Sequence, residues 1–177
     1  MTHHICNPPL FAKVCRFFFA LCGNLLVIGG PFLPNPGWAE SWMGRVERVV
    51  DGDSLVVVRD GERVKVRLSG VDTPEHGQPF AEQARGFARA RVEGRTVRVV
   101  EKETDRHGRM VAWVTRPGEE ELGAALVRAG LAWRHAYFSN DAGLKALEKS
   151  ARERRLGLWS HADPTPPWVW KRRQKRE

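Results

Sequence analysis

The sequence is poor in cysteine, and its few cysteines all lie near the start of the chain. Cys6, Cys15 and Cys22 are the three that it has, so residues 40–177 contain none. A disulfide framework and a cysteine-bound zinc site are therefore excluded for that part of the chain. Its stability must come from a packed apolar core, and a stretch of this length is long enough to build one.

Several hydrolase motifs are also missing. The chain has no His-Glu-x-x-His zinc helix, no Gly-x-Ser-x-Gly elbow and no Walker loop. Its six histidines are scattered, which gives little support to a nuclease that binds its metal through histidine. Carboxylates and arginines remain as the candidate chemical groups.

Long hydrophobic runs are absent after residue 39, and the one before it is short. Lys13 and Arg16 precede an apolar stretch at 17–28, which is shorter than the roughly 20 residues of a spanning helix. Small residues around Ala39 follow, so the order is that of a secretory signal. We predict a signal peptide at 1–39 and an exported protein, periplasmic or secreted, without stable membrane association after cleavage. The alternative is an uncleaved membrane anchor through residues 17–33.

The charge balance is basic. The chain has 29 Lys and Arg against 21 Asp and Glu, and two of the basic residues lie in the predicted leader. A positive field attracts phosphate backbones, so the charge favours a nucleic acid as the partner. Basic surfaces also arise for solubility alone, and the motifs must decide between the two.

The hydrophobic pattern predicts a mainly β fold with a few helices. Strands are expected at 45–50, 54–59, 64–69, 96–101 and 110–115, and helices at 80–94, 120–129 and 141–155. This order favours an α+β, mainly β fold, a five-stranded Greek-key barrel of the oligonucleotide-binding (OB) kind with three helices. From the pattern alone, a generic antiparallel α+β domain is nearly as well supported.

The chain after this domain has a different composition. We place the domain at 40–162 and a Pro/Trp-rich, basic tail at 163–177. Such a tail is usually solvated and mobile, and one interpretation of its basic run is an auxiliary phosphate contact. Trp168 and Trp170 are expected to hold the extension against the barrel.

Five charged residues stand in turn-rich settings between short apolar runs: Asp53, Arg67, Asp72, Glu75 and Arg109. Carboxylates can hold a hard cation, and arginines can bind a phosphate through two parallel hydrogen bonds. Together they are the groups that cutting a phosphodiester requires. Taken alone, Asp53 and Arg109 could be turn residues and Arg67 a solvated strand residue. Asp72 and Glu75 could be loop carboxylates that pair with a nearby arginine.

The motifs that carry these residues resemble the staphylococcal (micrococcal) nuclease family, in order and at similar spacing. They are Asp51-Gly52-Asp53-Ser54, Arg67, Val71-Asp72-Thr73-Pro74-Glu75, Thr104-Asp105-Arg106-His107-Gly108-Arg109, Ala125-Leu126-Val127-Arg128-Ala129-Gly130-Leu131-Ala132 and Gly157-Leu158-Trp159. The resemblance spans roughly residues 44–160.

This resemblance implies a five-stranded OB barrel with three helices and a monomeric endonuclease that uses one Ca²⁺ ion. Such an enzyme hydrolyses DNA and RNA and leaves 3′-phosphate ends. The implied roles are metal binding for Asp53, Asp72 and the Thr73 carbonyl, phosphate binding for Arg67 and Arg109, and general base for Glu75. The rival hypothesis is a catalytically inactive nucleic-acid-binding or protein-interaction module of the same fold.

The chain departs from the family where a substrate base would bind. His107, His135 and Phe138 stand where the family often has tyrosines, and Tyr137 is the only tyrosine in the chain. Ring faces of these residues can still stack on a base, so all four are predicted to bind substrate.

Other residues near the motifs are expected to be structural. Asp105 is predicted to organise its loop rather than to touch substrate. Trp113, Trp133 and Trp159 lie within or beside predicted elements, which favours a place in the core.

Overall fold

The structure, a computed structural model, describes residues 40–135 and 139–176. Its elements are β1 (Ser41–Asp51), β2 (Ser54–Arg59), β3 (Glu62–Leu68), β4 (Val71–Asp72), α1 (Ala81–Val92), β5 (Thr96–Thr104), β6 (Met110–Thr115), α2 (Leu122–Arg128), β7 (Trp133–Arg134), α3 (Ala142–Glu153), a short 3-10 helix (Gly157–Ser160) and α4 (Pro167–Gln174). The predicted leader, and with it the predicted export, lies outside the described residues. Among the helices that are described, none has the length and apolar character needed to cross a membrane.

Five strands close into a barrel in the order β1-β2-β3-β6-β5. Strands β3 and β6 run parallel, and the other neighbours in the barrel are antiparallel. Asp60 and Gly61 form the tight turn between β2 and β3, and both have positive φ, as a two-residue hairpin of this kind requires. The predicted five-stranded OB-type barrel is confirmed.

The first strand is longer than the sequence pattern predicts. It begins at Ser41 rather than near Arg45, because residues 41–45 pair with β5. A register shift between Val46 and Arg48 then lets both Val46 and Val49 face the barrel interior. Long-range pairing has therefore overridden a weak local signal at the start of the strand.

The core lies inside the barrel and beneath the helices that cover it. It is built from alternating strand residues and the inner faces of α1 and α2: Val46, Val49, Leu55, Val57, Val66, Leu68, Ala84, Ala88, Val97, Val99, Ala112, Val114, Leu122 and Leu126. Trp133 and Trp159 are buried in a second cluster with Ala151 and Leu158, as predicted.

The prediction for Trp113 was wrong. Its neighbours Ala112 and Val114 face the barrel interior, so strand alternation turns Trp113 outward, where 37% of it is exposed.

The described residues form four α-helices, one more than predicted. The extra helix α4 begins with Pro167 at its first turn, a position where proline's missing N–H costs nothing. Pro167 is buried, and Trp168 packs against the Trp133–Trp159 cluster. The start of the extension is thus docked rather than solvated, while its basic end from Lys171 onward is exposed.

Two glycines fix how the C-terminal helices join the domain. Gly130 and Gly157 both have positive φ, and a Cβ on Gly130 would lie 2.3 Å from the Leu156 carbonyl oxygen. The Leu158 N–H donates to the Gly130 oxygen at 2.8 Å. The two segments touch through bare backbone, so neither position has room for a side chain.

Gly130→Ala should destabilise the domain strongly. Adopting positive φ costs an alanine about 1 kcal/mol, and the overlap with Leu156 brings the expected loss of unfolding free energy to about 3 kcal/mol or more. Gly118→Ala is the matched control, because Gly118 has φ +80° and open space around it. Urea unfolding measures both, and equal losses would contradict the close approach.

Glu121→Gln should change how stability depends on pH. Burial raises the pKa of the Glu121 carboxyl, although the N–H groups of Gly123 and Ala124 that it caps oppose this. The folded state therefore holds the proton more tightly than the unfolded state. The resulting stabilisation is fully present at a pH below the pKa of Glu121 in the unfolded protein. It is lost as the pH rises through the pKa of Glu121 in the folded protein. The glutamine variant lacks this loss, so its unfolding free energy should gain on wild type as pH rises. If the unfolding free energy of the variant instead falls further below that of wild type as pH rises, the raised pKa of Glu121 is contradicted.

Candidate active site

Arg67 is the centre of the candidate site. It lies in β3 between Ser54 of β2 and Val111 of β6, its register partners in the two neighbouring strands. Val66 and Leu68 on either side are buried in the barrel, so the Arg67 side chain points to the outer face.

The two ends of the Arg67 guanidinium each contact a carboxylate. Nη1 pairs with Asp53 Oδ1 and Nη2 with Asp72 Oδ1. Asp53 comes from the turn between β1 and β2, and Asp72 from β4, which pairs with β7. Only 2% of Asp53 and 6% of Asp72 are exposed. Three separate segments thus converge on one buried cluster of charge.

Thr73 lies against the same cluster. Its backbone N–H donates to Asp53 Oδ2 at 2.7 Å, and the Ser54 hydroxyl donates to Oδ1 at 3.2 Å. A Cβ on Gly52 would lie 2.8 Å from the Thr73 side chain, so the glycine is needed for the turn to come this close. The structure therefore brings together the three residues predicted to bind metal.

The charge and chemistry of this cluster fit a hard divalent cation. Two buried carboxylates share one guanidinium, which leaves one formal negative charge in a place where unpaired charge is costly. Carboxylate and backbone carbonyl oxygens are the ligands that Ca²⁺ prefers, with waters completing its sphere. Within 40–135 and 139–176, no group of three or more His, Cys, Asp or Glu side chains is placed to hold a metal. A site here would rest on two carboxylates.

Strand alternation places Arg109 on the outer face that carries Arg67. It immediately precedes β6, two residues before Val111, the parallel-strand partner of Arg67. Asp105 holds it: the Arg109 Nε donates to Asp105 Oδ2 at 2.8 Å, and the Arg109 backbone N–H donates to Oδ1 at 3.0 Å. Asp105 therefore organises its loop, as predicted.

The Asp105 carboxyl is stabilised in its charged form. Burial acts to raise its pKa, but the N–H groups of Arg109 and His107 and the Arg109 guanidinium outweigh burial and leave the pKa below its usual value. The charged carboxylate keeps the loop closed and the guanidinium oriented.

Glu75 lies on the loop after β4, where two residues missed by the sequence analysis hold it. Its N–H donates to Gln78 Oε1 at 3.0 Å, and its Oε1 is 2.7 Å from Lys171 Nζ on α4. Gln78 also donates to the Thr165 carbonyl oxygen. The basic run of the extension was a signal for Lys171, but its distance in sequence from Glu75 hid the contact.

The predicted base-binding residues are spread over different parts of the chain. His135 follows β7, donates its N–H to the Gly70 oxygen at 2.9 Å and has its ring 5.6 Å from that of Trp168. Burial lowers the pKa of His135, with Asp72 acting against the shift and Arg67 adding to it, so the ring lies within the field of the cluster.

His107 is an exposed loop residue whose backbone N–H donates to Asp105 Oδ1 at 2.8 Å. Its ring accepts a hydrogen bond from Arg106 Nε at 3.2 Å. Tyr137 and Phe138 lie outside the described residues.

Comparison with known proteins places this arrangement in a family. The model of the family described as staphylococcal nuclease homologue matches residues 65–161. A protein of Escherichia coli O157:H7 named "Uncharacterized endonuclease" is 39% identical over 131 residues, which cover 74% of this chain and 86% of that protein. The "Micrococcal nuclease" of Shigella flexneri is 38% identical over 150 residues, covering 79% and 86%. The "Staphylococcal-like nuclease CAN1" of Arabidopsis thaliana is 32% identical over 114 residues, covering 64% and 35%.

The family match covers more than half of the chain, the two bacterial alignments extend over most of both partners, and the barrel has the architecture that the resemblance implied. The chain belongs to the staphylococcal nuclease family.

Proposed function

We propose that this protein is a Ca²⁺-dependent endonuclease that hydrolyses phosphodiester bonds of DNA and RNA and leaves 3′-phosphate ends. The observation that carries the proposal is the convergence of Asp53 and Asp72 on the two ends of the Arg67 guanidinium. Relatives named endonuclease and micrococcal nuclease support a nuclease activity. Nucleic acid is accordingly the proposed substrate, and the protein is proposed to act as a monomer.

Asp53 and Asp72 are the residues that would hold the calcium ion, with the Thr73 carbonyl as a further ligand. Both carboxylates are buried, and the Arg67 guanidinium and the Thr73 N–H hold them close together, so their oxygens already converge on one place. When bound, calcium would supply positive charge that stabilises the anionic phosphate during attack.

Arg67 and Arg109 supply the fixed positive charge of the protein. They occupy one outer face of the barrel and can donate to the phosphate oxygens that gain negative charge as water attacks. A planar guanidinium can make two parallel hydrogen bonds to such a group, whereas lysine offers a point charge.

Glu75 is the proposed acceptor of the water proton. As the water oxygen forms its bond to phosphorus, the proton passes to the Glu75 carboxylate and the bond from phosphorus to the 5′ oxygen breaks. The 5′ oxygen takes a proton from solvent, and the phosphate stays on the 3′ side. Export to the periplasm or medium, proposed from the leader, would bring this activity to nucleic acid outside the cytoplasm.

Cleavage assays on the full chain test the activity. With Ca²⁺, single-stranded DNA and RNA should be cut to 3′-phosphate ends, and a chelator should abolish cutting. Arg67→Lys should lower kcat by about a hundredfold or more, because the second hydrogen bond to the phosphate is lost. Arg63→Lys is the matched control, on the same strand and outer face but paired with Glu47 at 2.6 Å.

Two results would sink the proposal: cutting that persists equally in chelator, or an Arg67→Lys enzyme as active as the control. Binding of nucleic acid without cutting would instead favour a non-catalytic binding module.

Calcium binding can be measured without activity. Asp72→Asn should weaken Ca²⁺ affinity by about tenfold or more, because a charged oxygen ligand becomes neutral. Asp60→Asn, in the exposed β2–β3 turn, should leave the affinity unchanged. Isothermal titration calorimetry of the three proteins measures this, and equal affinities would exclude Asp72 as a ligand.

A further inference from the structure

The C-terminal helix α4 lies beside the candidate catalytic loop. Lys171 Nζ is 2.7 Å from Glu75 Oε1, and the ring of Trp168 is 5.6 Å from that of His135. Trp168 and Lys171 are three residues apart, so they lie on the same face of the helix. That face is turned toward the site described above.

The position of α4 is fixed by contacts independent of that ion pair. Gln78 joins the two segments, since its side-chain oxygen accepts from the Glu75 N–H and its nitrogen donates to the Thr165 carbonyl oxygen. Pro167 is buried, and Trp168 packs on the cluster that contains Trp133 and Trp159. The helix is therefore anchored at its start, and Lys171 is the first residue of its exposed basic end.

Stability alone does not account for Lys171. Its side chain is 57% exposed and that of Glu75 28%, and ion pairs at such exposure contribute little to folding. A lysine on a long flexible stem can exchange one anionic partner for another at little cost. A phosphate of a bound strand is such a partner, and Lys175, four residues further on, repeats the charge on the same face.

We propose that α4 is a wall of the nucleic-acid site, in which Lys171 binds a phosphate next to the scissile one. Trp168 and His135 form the adjoining aromatic surface, on which a base of a single strand can stack. The inference rests on the proposed function, because it takes the residues around Glu75 to be the place of cleavage. It makes Lys171 a substrate-binding residue in addition to the two arginines of the barrel.

The test compares wild type with Lys171→Ala, Lys171→Arg and a control, Lys149→Ala. Lys149 lies on α3, is exposed and is 3.8 Å from Glu153. Binding of a fluorescent single-stranded oligonucleotide to the full chain is followed by anisotropy in chelator, over a range of salt concentrations. Each lost phosphate contact lowers the slope of log affinity against log salt by about 0.7 for single strands.

Lys171→Ala should therefore show a slope shallower by about 0.7 and an affinity about fivefold weaker at low salt, while Lys171→Arg and the control match wild type. In the Ca²⁺-dependent cleavage assay, the alanine variant should raise KM, because a contact to the bound substrate is lost. Thermal unfolding should show all four proteins equally folded.

An unchanged salt slope for Lys171→Ala overturns the inference, even if its affinity falls, because a purely structural pair would leave the number of phosphate contacts intact. Failure of the arginine variant to restore the slope also overturns it. The proposed function fails separately. If the protein binds with the expected salt slopes but never cuts, the role of α4 in binding is supported and the nuclease mechanism is contradicted.

Discussion

The structure of the site depends on one constraint, the sharing of the Arg67 guanidinium by two buried carboxylates. Each carboxylate comes from a different turn or strand, so the cluster joins the β1–β2 turn to β4 across the outer face of β3. Buried charges are tolerated only when paired and hydrogen-bonded, and here the pairing leaves one negative charge over. The same feature that holds the segments together thus creates a place suited to a divalent cation.

The barrel supplies rigidity for this cluster, and the loops supply its chemistry. Arg67 lies in the middle of a strand paired on both sides, whereas Asp53, Thr73, Glu75 and Arg109 lie in or beside turns. Two of these turns are held by hydrogen bonds in which the Arg109 guanidinium donates to Asp105 and the Glu75 N–H donates to Gln78. Catalytic positions on loops anchored to a stiff scaffold are the usual arrangement in enzymes.

Much of the fold could be predicted from the sequence because local signals and tertiary structure agree. The alternating strands β2 and β3 and the start of α3 form close to where the pattern indicates. The errors arise where the deciding contacts are distant in sequence. The pairing of residues 41–45 with β5 and the packing of Trp168 on the Trp133 cluster leave little local trace. The orientation of Trp113 depends on which face of β6 is turned to the barrel interior, and that is set by the closing of the barrel.

The sequence by itself determined the family, the five-stranded barrel and the set of three acids and two arginines, because these depend on short motifs and on side-chain periodicity. Only the tertiary structure decided that Asp53 and Asp72 meet on one guanidinium, that Asp105 holds Arg109 and that Lys171 reaches Glu75. The physical reason is that an ion pair depends on distances in space. The closing of the barrel and the docking of α4 set those distances, and neither is encoded within a single stretch of chain.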